Sequence, residues 1–167
     1  MLLLRTSQQA ARGPDVWTAR VELRADPDEV LRALTDPEMI AGWAPVAFDV
    51  EGLEDGCLRT GSRARVSGTV GGLGASFEVE VLHADTELLE LVAEGPVSFE
   101  VTYRFRARGD RLLVEARVAV PRKGGLTAQL LRPATAALLN AGALAAALRR
   151  LERSVAGAMS ESELVPA

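Results

Sequence analysis

Apolar and polar residues alternate from Val16 onward. Trp17, Ala19, Val21 and Leu23 fall on one parity, Thr18, Arg20, Glu22 and Arg24 on the other. A period of two with one polar parity predicts a half-buried strand. The alternation stops at Ala25-Asp26-Pro27-Asp28-Glu29. There Asp26 suits a helix N-cap, Pro27 the first helical position, and Glu29 the place that reaches back to close a capping box. A short helix follows with Val30, Leu31 and Leu34 inward. Thr35-Asp36-Pro37-Glu38 repeats the cap-then-proline signal and predicts a second helix, ending near Gly42.

Six more strand-like runs follow. Ala47–Leu53 sets Phe48 and Val50 against Asp49 and Glu51. Ser62–Val70 sets Ala64, Val66, Gly68 and Val70 against Arg63, Arg65, Ser67 and Thr69. Gly71-Gly72-Leu73-Gly74 predicts a hairpin loop, because glycines supply the positive φ of tight turns. Ala75–His83 places Phe77, Val79, Val81 and His83 on the inward parity, and Glu87–Ala93 is apolar almost throughout. Val97–Arg108 alternates most cleanly, with Val97, Phe99, Val101, Tyr103 and Phe105 inward, and Gly109-Asp110 turns it into Arg111–Val120. Strands joined by such short turns are antiparallel neighbours. From Leu126 to about Met159 the period becomes helical. Leu126, Leu130, Ala134, Ala137, Ala141, Leu144, Leu148, Leu151 and Val155 form one stripe. Pro133 is expected to kink the helix in its first third.

The order is strand, two short helices, six strands, long helix. The sheet must bury its apolar face, and the terminal helix is the only element long enough to cover it. The predicted class is therefore α+β: a strongly curved seven-stranded antiparallel sheet around a long C-terminal helix, with two short helices between strands 1 and 2.

This order, together with Val21-Glu22-Leu23, Asp26-Pro27-Asp28-Glu29-Val30, Leu34-Thr35-Asp36-Pro37-Glu38, Gly42-Trp43, Leu58-Arg59-Thr60-Gly61-Ser62, Phe77-Glu78-Val79-Glu80-Val81 and Ala141-Gly142-Ala143-Leu144, resembles the helix-grip superfamily of SRPBCC or START-like proteins. Within it the chain is most similar to the small bacterial polyketide cyclase/dehydrase-like group. The resemblance implies a single domain over residues 16–159, and the sequence on either side predicts a flexible N-terminal segment, 1–15, and a flexible tail, 160–167. It also implies an internal apolar cavity between sheet and helix.

Composition narrows the chemistry. Net charge is −4, from 19 Lys and Arg against 23 Asp and Glu, which argues against a nucleic-acid surface. One cysteine, Cys57, leaves no internal disulfide and no multi-thiolate metal site, and one histidine leaves no two-His centre, so no metal or cofactor is expected. The apolar opening Met1-Leu2-Leu3-Leu4 is too short for a secretory signal, and no window is apolar enough for stable membrane insertion. A cytoplasmic monomer or weak homodimer is expected.

Candidate ligand-binding residues are Trp43, Phe48, Val66, Phe77, Val79, Phe99, Val101, Tyr103, Ala137, Asn140 and Ala141. Trp43 is either a gate or a plug of the barrel end. Tyr103, inward among apolar neighbours, needs a hydrogen-bond partner in a ligand or in the backbone. Asn140 either binds a ligand or sits in water on the helix shoulder. Catalytic candidates are His83 and Tyr103 alone. His83 is the only imidazole, yet it ends its strand beside Ala84-Asp85, which suits a structural or partly exposed role better than a catalytic one. Cys57 has no histidine near it in sequence to activate it. Arg63, Arg65, Arg104 and Arg106 are expected to pair with Glu78, Glu80 and Glu100 across strands.

Alanines opposite the sheet and few aromatics to fill it favour an unfilled apolar space. The primary expectation is binding or transport of an apolar small molecule such as a lipid, isoprenoid or polyketide. The alternative is a cofactor-independent polyketide cyclase, aromatase or dehydratase using the same space, for which the inward faces offer few acids or bases.

Overall fold

The structure is a computed structural model and describes residues 15–44, 47–70, 73–122 and 124–162. The Gly71-Gly72 turn, the opening leucines and the end of the C-terminal tail lie outside the described residues.

Strand β1 (Asp15–Leu23) leads into α1 (Pro27–Thr35) and α2 (Pro37–Trp43). Glu29 accepts a hydrogen bond from the Asp26 N–H (3.2 Å), and Asp36 accepts one from the Glu38 N–H (2.9 Å), as the two cap signals require. The meander β2 (Phe48–Glu51), β3 (Arg63–Val70), β4 (Leu73–Ala84), β5 (Leu88–Glu94), β6 (Phe99–Arg108) and β7 (Arg111–Val120) follows. The antiparallel sheet has the order β1-β7-β6-β5-β4-β3-β2, so the first strand closes onto the last. This is the α+β helix-grip architecture that the pattern of strands and caps predicts.

Register explains the faces. Trp17 pairs with Val118, Ala19 with Ala116, Val21 with Val114 and Leu23 with Leu112. Those β7 residues oppose Val101, Tyr103, Phe105 and Ala107 of β6. One end of the concave face is sealed. There Val30, Ala33 and Leu34 of α1 pack with Val81, Leu89, Phe105, Val114 and three residues of the terminal helix, Leu148, Leu151 and Val155. Each large aliphatic buried this way contributes about 1.5–3 kcal/mol.

The terminal helix departs from expectation. It is two helices, α3 (Leu126–Asn140) and α4 (Ala143–Ser162), bent by 56°. Pro133 lies inside α3, and the break comes at Gly142 instead. The reason is local: Gly142 adopts φ +89°, a left-handed conformation that ends a helix and that residues with a Cβ avoid. Its carbonyl then accepts the Ala146 N–H and opens α4. α4 lies against β1 and the short helices, whereas α3 meets chiefly α4 and β1. No single described helix is long and apolar enough to cross a membrane.

Candidate functional site

Beyond the sealed end, the inward side chains of β2 to β6 form an apolar floor. Phe48 and Val50 of β2 stand opposite Gly68 and Val66 of β3. Val66 and Ala64 stand opposite Phe77 and Val79 of β4. Val79 meets Ala93 of β5, which meets Phe99 of β6. The small Ala93 on β5 lets aromatic rings from its two neighbours meet: Phe77 and Phe99 have ring centroids 5.7 Å apart at a tilt of 53°. Gly95 is part of this arrangement, because a Cβ there would lie 2.6 Å from both the Phe77 ring and the Ser76 carbonyl. Phe48, Val66, Phe77, Val79, Phe99 and Val101 are all half-buried. The structure thus brings six of the sequence-predicted ligand residues together on one face that α3 does not seal.

Tyr103 stands on the same face, opposite Leu89 of β5 and Ala116 of β7. Desolvation pushes its phenol up to about 12, so it is a neutral O–H donor at physiological pH. Its hydroxyl has no hydrogen-bond partner among the described residues. Of the floor's side chains it is the one with an uncommitted polar group.

Other candidates are placed differently. Trp43 packs against the sealed core and donates from Nε1 to the Ala33 carbonyl (2.8 Å), which makes it a plug. Asn140 accepts a hydrogen bond from Trp17 Nε1 (2.8 Å), so its oxygen is taken by β1. Ala137 and Ala141 do not line the floor. They are exposed, because the bend at Gly142 turns α3 out of line with α4 and presents Ala128, Leu131 and Thr135 to the protein instead.

His83 is not inward either. The β4–β5 register shifts between Val81 and His83, so His83 opposes Glu90, a residue of the outward parity. Such a bulge inserts one extra residue and reverses the alternation beyond it. Leu82, the inserted residue, is 51% exposed, and His83 Nε2 lies 2.6 Å from an Asp85 carboxylate oxygen. The imidazole and the Tyr103 phenol are therefore on opposite faces of the sheet, and no acid–base pair is built from them.

On the outer face, Arg63 pairs with Glu80 (3.3 Å) and Arg65 with Glu78 (2.6 Å), as the strand parities predict. Arg104 stands opposite Glu115. No group of three or more metal-ligating side chains occurs among the described residues. Two features of the site escaped the sequence reading. Trp17 has an inward parity, but its partner lies 123 residues away. The bulge did leave a signal: Val81-Leu82 puts two large apolar residues side by side in an otherwise alternating strand.

The geometry agrees with what this chain is similar to. Residues 16–156 match the family model described as polyketide cyclase / dehydrase and lipid transport. Among solved structures, the protein DynU16 of the dynemicin biosynthetic locus is 24% identical with a TM-score of 0.59, covering 83% of this chain and 46% of that one. The present chain thus spans about half the length of DynU16. The protein TTHA0849 from Thermus thermophilus is 21% identical, TM-score 0.61, covering 86% of this chain and 99% of its own. A START superfamily protein from Mycobacterium smegmatis is 17% identical, TM-score 0.63, covering 85% and 97%. At these identities the likeness concerns the fold. No curated protein sequence matches the chain.

Proposed function

The chain belongs to the polyketide cyclase / dehydrase and lipid transport family, and from that premise we propose that it binds an apolar small molecule on the floor between the sheet and the terminal helices. The observation that carries this reading is the half-open aromatic and aliphatic floor with one unpartnered phenol, Tyr103, set into it. Burying about 300 Å² of apolar ligand surface yields a gross gain near 7 kcal/mol, from which the costs of association are subtracted. The phenol adds selectivity, because a neutral O–H donor rewards a ligand with a carbonyl or hydroxyl near its buried end. Lipids, isoprenoids and polyketides share that chemistry. The single cysteine and the unpaired state it implies suit a cytoplasmic carrier.

A polyketide cyclase or dehydratase activity is the second reading, supported by the family description. Against it stands the chemistry of the floor. A phenol held near 12 is a poor base at neutral pH, and the imidazole faces the other way.

Titration with 8-anilinonaphthalene-1-sulfonate (ANS) and with oleate tests the binding reading. Saturable binding weakened about three- to tenfold for oleate by Tyr103→Phe is the expected result, since one hydrogen bond contributes about 0.5–1.5 kcal/mol. Absence of saturable binding by native protein to either probe, with none co-purifying in native mass spectrometry, overturns it.

A further inference from the structure

One side of α3 packs on the protein and the other meets nothing. Ala128, Leu131 and Thr135 are at least half-buried, whereas Leu126, Leu130 and Leu138 are 81%, 78% and 51% exposed. Ala134, Ala137 and Ala141 are exposed between them. The one charged residue of α3, Arg132, is half-buried on the packed side, so no charge interrupts the apolar strip. A single exposed leucine is ordinary on a protein surface, but three on one helix with alanines between them form a continuous patch.

The charge around the strip says what it meets. Residues 116–151 hold no acidic residue and six basic ones, Arg117, Arg122, Lys123, Arg132, Arg149 and Arg150. The rest of the chain carries 13 basic residues against all 23 acidic ones. Cations thus bracket the strip in a chain whose net charge is −4. Before α3, Arg122 is held by Asp15 (3.0 Å). After it, Arg149 and Arg150 of α4 are exposed and pair with no acidic side chain among the described residues.

We propose that α3 docks the protein on an anionic lipid surface, with Leu126, Leu130 and Leu138 among the acyl chains and Arg149 and Arg150 at the headgroups. A helix lying flat in this way sinks its apolar side about 5–10 Å into the headgroup boundary. The three leucines span about 18 Å of the helix axis, too short to cross a bilayer and long enough to lie along it. A second copy of the chain suits the strip less well. It sets these cations against the same cations, with no acid in residues 116–151 to offset them. The docking residues are not those of the floor, so the contact does not depend on ligand binding there.

Vesicle flotation of the full chain tests the docking surface. Vesicles of equal parts phosphatidylcholine and phosphatidylglycerol are expected to carry the native protein, and vesicles of phosphatidylcholine alone to carry little. The double variant Leu126→Glu, Leu130→Glu is expected to lower the partition coefficient by about tenfold or more, through lost apolar burial. Arg149→Gln and Arg150→Gln are each expected to lower it about fivefold, the contribution of one cation near an anionic surface. A second measurement places a nitrobenzoxadiazole label in a Cys57→Ser background. At Leu130→Cys its emission is expected to shift to the blue on the anionic vesicles, and at Thr18→Cys, exposed on the outer face of the sheet, to stay unchanged. Equal flotation of native protein and the leucine variant overturns the proposal, as does the absence of both flotation and a label shift. A native dimer in sedimentation equilibrium that the leucine variant dissolves, without lipid binding by either, also overturns it and assigns the strip to a second copy.

Discussion

α3 and α4 are two parts of one periodic pattern with opposite surroundings. In α4 the stripe meets Val30, Leu34 and Val114, and Leu148 and Leu151 lose almost all contact with water. In α3 the same stripe points away from the protein, and the opposite side of the helix, with Ala128 and Thr135, lies against it. Periodicity alone does not separate the two, because both satisfy the helical repeat. The difference is set at Gly142, where a left-handed residue interrupts the hydrogen-bond ladder. A stripe therefore states which residues share a side, and the turn between two helices decides what that side meets.

The sharpest way to break this comparison is to truncate one leucine in each half. Leu151→Ala is expected to lower unfolding free energy by about 2–5 kcal/mol in urea or guanidinium melts, through lost burial and the cavity left behind. Leu130→Ala is expected to change it by less than about 0.5 kcal/mol. Equal losses at the two sites would show that α3 packs as α4 does.

A smaller effect is expected where the floor meets β5. Gly95→Ala places a methyl group against the Phe77 ring and the Ser76 carbonyl, at a cost of about 1–3 kcal/mol from overpacking. The same variant is expected to reduce the ANS signal by displacing the Phe77–Phe99 pair. Full stability together with native ANS binding would mean that the two rings do not define the floor.

Tyr103→Phe separates binding from stability. Removing a hydroxyl with no protein partner is expected to leave the melting temperature within about 2 °C of native while weakening oleate binding. Because the phenol stays protonated until the pH approaches 12, its contribution to affinity is expected to be flat across the neutral range. A large fall in melting temperature would instead mark Tyr103 as a structural residue.

The smallest effect belongs to the outer face. The Asp85 carboxyl is held below its ordinary range, first by the Glu87 N–H and then by the His83 ring and the Leu88 N–H. A carboxylate with a lowered folded pKa contributes stability that is fully present above its unfolded pKa, about 3.9, and lost as pH falls through the folded value. The stability gap between native protein and Asp85→Asn is thus expected to shrink from about pH 5 to about pH 3 in thermal melts. A gap that stays constant over that range would remove the carboxylate's role in the turn.

Much of the architecture was legible in the chain because its signals are local. Asp26-Pro27 and Asp36-Pro37 start their helices through contacts within a few residues, and the parities of β6 and β7 survive intact in the sheet. The errors arise where one residue changes phase. Leu82 inserts into β4 and sends His83 to the outer face, and Gly142 turns Ala137 and Ala141 away from the floor. The Trp17–Asn140 hydrogen bond joins residues 123 positions apart, and no local pattern encodes such a distance.

The claim that a ligand sits on the apolar floor of β2 to β6 is tested most directly by methyl-labelled NMR during an oleate titration. Saturable shifts are expected at Val66, Val79 and Val101, with the outward Leu82 unmoved. Shifts confined to Leu82 and other outward methyls, or no shift at any methyl, would contradict it.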